Sequence, residues 1–113
     1  MIENTVIDYL NWVLNVPAYM EESTRKLDEY VVVKAIDNGR VNHIDAVTLN
    51  ITSYSTTMEK AAQLNKTVKD AMYNIVSLDN ISSSKCGGGG QAIETSSKRY
   101  AYECIFNLFY MED

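Results

Sequence analysis

Two segments of this chain are apolar on both of their alternating faces, and that pattern limits the folds open to it more than any other. In residues 30–36, Tyr30, Val32 and Ile36 fall on one side of an extended backbone while Val31, Val33 and Ala35 fall on the other. Further along, Phe106, Leu108 and Tyr110 are backed by Ile105, Phe109 and Met111 in the same manner. Successive side chains of a strand point to opposite faces, so strands of this kind belong in a sheet whose two faces are both shielded from water.

The remaining segments indicate what does the shielding. Ile2, Val6, Tyr9, Leu10, Val13 and Leu14 recur at three- and four-residue spacings, one stripe of an amphipathic helix with Asn4 or Thr5 as its N-cap. Trp12 lies near the edge of that stripe and is expected in the core. Pro17 cannot continue the helix, so residues 16–20 are expected to leave as a short strand, followed by a polar connection over residues 21–28. The β-branched run at residues 30–36 predicts a strand, and Asn38-Gly39 supplies the positive φ of a hairpin turn. The partner strand spans residues 42–54, where Val47, Leu49 and Ile51 alternate with Thr48, Asn50 and Thr52 to give one dry face and one wet face.

Thr56 followed three residues later by Glu59 reads as a capping box that opens a helix over residues 57–78. Its buried side is Ala61, Leu64, Val68, Ala71, Met72, Ile75 and Val76, and it would run about 33 Å. The Ser- and Gly-rich stretch that follows, with Cys86 and four successive glycines, predicts a flexible loop over about residues 82–97, entered through a short strand at Ile81. Residues 98–111 form the last strand, with Tyr100, Tyr102, Cys104, Phe106, Leu108 and Tyr110 on one face. Assembled, residues 1–113 make one α+β domain, a mostly antiparallel sheet with two helices packed on one face. Two helices of these lengths cover only that face. The other would present Tyr30, Val32, Ile36, Ile105, Phe109 and Met111, the expected interface of a homo-oligomer, unless the helices split across both faces or the N-terminal segment folds over.

Charge and composition narrow the function classes. At 113 residues, 46% hydrophobic and 22% charged, the chain has the make-up of one globular domain. Ten Lys and Arg against fifteen Asp and Glu give −5, which opposes attachment to a phosphate backbone. Lys98-Arg99, Lys66 and Lys69 do not add up to a phosphate-tracking stripe, so no sequence-specific nucleic-acid binding is expected. Residues 1–5 lack the features of a secretory signal and no stretch is long enough to cross a bilayer, so a cytoplasm without membrane association is expected. Two cysteines are too few for a disulfide framework; Cys104 is expected to be a buried free thiol and Cys86 to sit in a loop or at a strand end.

Nothing in the pattern points to catalysis, a cofactor or a metal. The glycine run lacks the Lys-Ser/Thr ending of a phosphate-binding loop. His43 is the single histidine and has no nucleophile or carboxylate at a motif spacing. Glu21-Glu22, Asp28-Glu29 and Glu112-Asp113 fit no calcium loop. The expected class is therefore a non-enzymatic assembly protein. Its docking segments would be residues 82–97 (Lys85, Gly88), the hairpin tip at residues 37–40 (Asn38, Gly39, Arg40) and residues 21–26, chosen because mobile segments often order on assembly.

Several stretches resemble a known family. Tyr9-Leu10-Asn11 through Val16-Pro17-Ala18-Tyr19, then Glu29-Tyr30-Val31-Val32-Val33 ahead of an Asn-Gly pair, are similar to the opening of tail terminator (tail completion) proteins of long-tailed bacteriophages with non-contractile tails. Ile51-Thr52-Ser53-Tyr54-Ser55-Thr56-Thr57, Glu59-Lys60-Ala61-Ala62 and Val68-Lys69-Asp70-Ala71-Met72 look like that family's strand-to-helix junction, and Lys98-Arg99-Tyr100 resembles the start of its aromatic last strand. The glycines at residues 87–90 match nothing in the family pattern. The resemblance implies a hexameric ring at the head-proximal end of the tail tube. That ring would stop tube polymerisation and bind both the tube protein and the head-neck connector or head-closure protein, placing the chain in the virion and, during assembly, in the bacterial host cytoplasm. A negative ring would also let DNA slide through its bore. The alternatives are another neck, head-closure or tail component of the same fold, and, from a different class, a small-molecule binding domain or hydrolase.

Overall fold

The structure, a computed structural model, describes residues 2–20, 28–41, 44–91 and 100–111. Helix α1 (Ile2–Val13) leads into β1 (Ala18–Tyr19). Strands β2 (Tyr30–Val41) and β3 (Ile44–Ser55) follow, then helix α2 (Met58–Tyr73), a 3-10 turn (Asn74–Ser77), β4 (Ile81–Gln91) and β5 (Tyr100–Tyr110). The five strands form one sheet in the order β1-β2-β3-β5-β4, antiparallel throughout except for the short β1–β2 pair. β3 and β4 run the same way with β5 inserted between them, so the connection through α2 must cross the sheet, and α2 lies over it.

Both helices pack on one face. Val6 and Leu10 of α1, Leu64, Val68 and Met72 of α2, and the inward set Val31, Val33, Val47, Leu49, Ile51, Cys104, Phe106 and Leu108 belong to a single buried cluster. The architecture is α+β, with a mostly antiparallel sheet. Tyr9 donates its hydroxyl to the Ala71 carbonyl at 2.8 Å, tying α1 to α2. Asn11 uses both ends of its amide on Ala18, accepting from the backbone N–H at 2.9 Å and donating to the carbonyl at 3.2 Å. This bracket pins the C-terminal end of α1 to β1. α1 begins at Ile2, so Asn4 and Thr5 lie inside the helix and are not its caps.

At the other helix the N-cap is Thr57 and not Thr56: its hydroxyl accepts from the Lys60 N–H at 3.1 Å. The α-helical hydrogen bonding stops at Tyr73 and tightens to a 3-10 turn, leaving Val76 exposed and Ala71 only half-buried. Beneath α2, Ser53 and Ser55 of β3 are fully buried on the core side, and their hydroxyls, like the Asn65 side-chain carbonyl, have no hydrogen-bond partner among the described residues.

Three further expectations are corrected, two about the strands and one about α1. Asn38-Gly39 is not the hairpin turn: Asn38 pairs with Val47, Gly39 with Ala46, and the ladder continues to Val41 opposite Ile44. Gly39 has no positive φ, because once β2 carries a bulge between Ala35 and Asp37 the pair simply extends the strand. The predicted loop at residues 82–91 is strand β4, hydrogen-bonded along β5; residues 92–97 lie outside the described residues. The glycines permit this through φ values of +141°, +135° and +152° at Gly88, Gly89 and Gly90, which side-chain-bearing residues avoid. Cys86 accordingly sits within a strand. The third correction is Trp12, which is 81% exposed and no part of the core.

Candidate functional site

The sheet face away from the helices is the surface to which no helix or strand among the described residues is assigned. Register builds it in rows. Reading from β2 through β3 and β5 to β4, the rows are Gly39–Ala46–Phe109–Ser83, then Asp37–Thr48–Asn107–Lys85, Lys34–Asn50–Ile105–Gly88 and Val32–Thr52–Glu103–Gly90, ending at Tyr30–Tyr54–Ala101. The middle of this face is a polar ladder. Thr48 donates its hydroxyl to Asn107 Oδ1 at 2.8 Å, Asn50 donates its amide to Glu103 Oε2 at 3.1 Å, and Thr52 donates to Asn50 Oδ1 at 3.0 Å. The Thr48–Asn107 and Asn50–Glu103 bonds cross from β3 to β5 and fix register, Thr52 steadies Asn50 from within β3, and all remain compatible with water.

The predicted interface set is divided by this ladder. Tyr30 and Val32 are buried within the chain, Tyr30 between Tyr54, stacked at 4.7 Å, and Tyr19 at 6.5 Å. They are therefore withdrawn from any surface, and the expectation that they meet a partner is corrected. Toward the other end Phe109 of β5 and Met111 just past it are 37% and 62% exposed, Ile36 at the bulge of β2, across β3 from them, is 56% exposed, and Ile105 is half-buried in the Asn50 row. The face is not continuously apolar; among the described residues its exposed large apolar side chains are Ile36 on β2 and, across β3, Phe109 and Met111. The sheet also carries a depression of about 190 Å³ lined by Asp37, Asn38, Gly39, Ala46, Thr48 and Phe109. Sequence reasoning missed it because it is made by what is lacking, the side chains of Gly39 and Ala46.

Of the predicted docking residues, Asn38, Gly39 and Arg40 are exposed on β2, and Arg40 Nε lies 3.4 Å from Asp45 Oδ1, its register partner. Lys85 and Gly88 are exposed on β4, the outermost strand, so the two groups stand on opposite sides of the sheet and do not form one surface. Residues 21–26, His43, Lys98, Arg99, Glu112 and Asp113 lie outside the described residues. Among the described residues no three His, Cys, Asp or Glu side chains converge as a metal site would require, and no helix is long and apolar enough to cross a membrane.

The cysteines lie on the core side of β4 and β5. Cys104 is fully buried, and burial pushes its thiol up from 9.0 to about 12, with Cys86 adding to the rise. The unfolded chain ionises this thiol first, so the stabilisation it contributes is complete below pH 9 and is lost as pH climbs toward 12, up to about 4 kcal/mol. Tyr9, also raised by burial, adds a loss of the same sign above pH 10. The expected result is a urea midpoint that falls between pH 8 and pH 10.5 and falls less in a Cys104→Ala variant; an unchanged midpoint would refute the assignment. No protein-family model matches the chain, and no curated protein matches it in sequence.

Proposed function

We propose that this chain is a structural subunit that assembles with copies of itself on the plan of a phage tail terminator, forming a ring at the head-proximal end of a tail tube. The observation that carries the self-assembly is the sheet face that no helix or strand among the described residues covers, where Ile36, Phe109 and Met111 are exposed and a depression opens beside Phe109. Large apolar side chains grouped at one end of an otherwise polar surface mark a contact site more often than scattered ones do. Support for the terminator reading is the resemblance of the segments quoted above, together with the small α+β protomer that the resemblance implies. In this reading the ring stops tube polymerisation and joins tail to neck without chemistry of its own, and its partners are the tail tube protein and the head-neck connector or head-closure protein.

Size-exclusion chromatography with light scattering, followed by negative-stain microscopy, tests the proposal. Rings are expected, either from the chain alone at high concentration or on addition of purified tail tube. A chain that stays monomeric under both conditions would sink it. In a phage carrying the gene, its loss is expected to leave overlong or unattached tails; normal tails beside leaking heads would instead indicate a head-closure protein.

A further inference from the structure

We propose that Trp12 of one copy seats in the depression on the open sheet face of the next, making the self-association head-to-tail; this rests on the reading that the chain assembles with itself. Trp12 is the only tryptophan, and at 81% exposure it is the most exposed large apolar residue among the described residues, while Ile2, Val6, Tyr9 and Leu10 of the same helix are buried. Tryptophan is among the residues most often found carrying the energy of protein interfaces. A free-standing indole on a helix is thus a knob awaiting a hole.

The depression fits it in size and chemistry. Its volume of about 190 Å³ exceeds the roughly 150 Å³ that admits a benzene ring in an apolar cavity. Ala46 and Phe109 offer apolar contact, and a Cβ built on Gly39 would meet nothing within 4 Å, so the floor is open. The Asp37 carboxylate at the rim provides an acceptor for the indole N–H, which needs one once removed from water.

Position excludes self-insertion. α1 packs on the core face and the depression opens on the other. Asn11 anchors the end of α1 to Ala18, which pairs with Val31, and Asp37 lies six residues further along β2, roughly 20 Å away. Knob and hole therefore sit on opposite faces and at opposite ends. A contact joining two different patches propagates from copy to copy and closes into a ring when the rotation allows.

With a single tryptophan, its fluorescence reports the contact directly. Emission is expected to shift to the blue as concentration drives association, in step with light scattering. Trp12→Ala, a change at an exposed side chain, and Gly39→Arg, which fills the depression from a position with space around it, are each expected to raise the half-association concentration about 30-fold. Mixed together, the two variants are expected to form one-to-one pairs and stop, since the arginine variant keeps its knob and the alanine variant keeps its hole. If wild-type copies associate while emission stays unshifted, or if Trp12→Ala assembles as well as wild type, this inference falls and the self-assembly reading stands. If wild type never associates, both fall.

Discussion

Replacing Phe106 with alanine is expected to lower the unfolding free energy by about 3–5 kcal/mol. Phe106 is fully buried on β5, opposite Leu49 on one neighbouring strand and Cys86 on the other, and meets Tyr73 edge-on at 5.3 Å. The truncation removes transfer energy and leaves a cavity that two flanking strands and a helix cannot close. The chain's other phenylalanine supplies the contrast. Phe109 is three residues along the same strand, points to the open face and is 37% exposed, so Phe109→Ala is expected to change stability by less than about 1 kcal/mol while weakening association. Urea denaturation of the two variants at low concentration separates them, and equal losses would mean that the two faces have been assigned the wrong way round.

Gly89→Ala is expected to be worse than its single added methyl suggests, with a loss of at least about 3 kcal/mol or release of β4 from the sheet. A Cβ there would meet the Glu103 carbonyl oxygen at 2.3 Å and the Cys104 Cα at 2.7 Å, both backbone atoms of the neighbouring strand, and φ is +135°. Gly39→Ala serves as control. Its Cβ meets nothing within 4 Å and its backbone is ordinary, so the change should be close to neutral. Amide hydrogen exchange would show β4 losing protection in the Gly89 variant and keeping it in the other; protection retained in both would remove glycine as the reason β4 can lie so close to β5.

Much of this architecture is written in local pattern. Alternation at Val47, Leu49 and Ile51 and at Cys104, Phe106 and Leu108 identifies the inward face, because burial on one side of a strand is a period-two property of the chain itself. The stripe Ala61, Leu64, Val68, Met72 and Ile75 is equally legible, and so is the polar ladder, since Thr48, Asn50 and Thr52 already read as the wet set. What local pattern does not carry is the consequence of a neighbour. Asn38-Gly39 is a strong turn signal, overridden because the facing strand offers partners as far as Ile44. Four glycines read as a loop because extended conformations with positive φ acquire hydrogen bonds only once β5 lies alongside. Trp12 reads as core because helical spacing marks the stripe but not how wide a band the sheet beneath can cover. The candidate site was half legible for the same reason. Apolar Ile36, Phe109 and Met111 were visible in the sequence, while the burial of Tyr30 beside Tyr54 and the hollow over Gly39 exist only after the strands are aligned.

The place of β5 between β3 and β4 also sets a schedule. On a ribosome β2 and β3 can zip together as soon as residue 55 is free, yet β4 has nothing to lie against until residues 100–110 have been made. Until then α2 shields a half-built layer, and the glycine strand drifts without a template. Delivery of that last strand converts two loose pieces into one body, so a translational pause just upstream of it would prolong the interval in which this chain is most open to capture by its own kind.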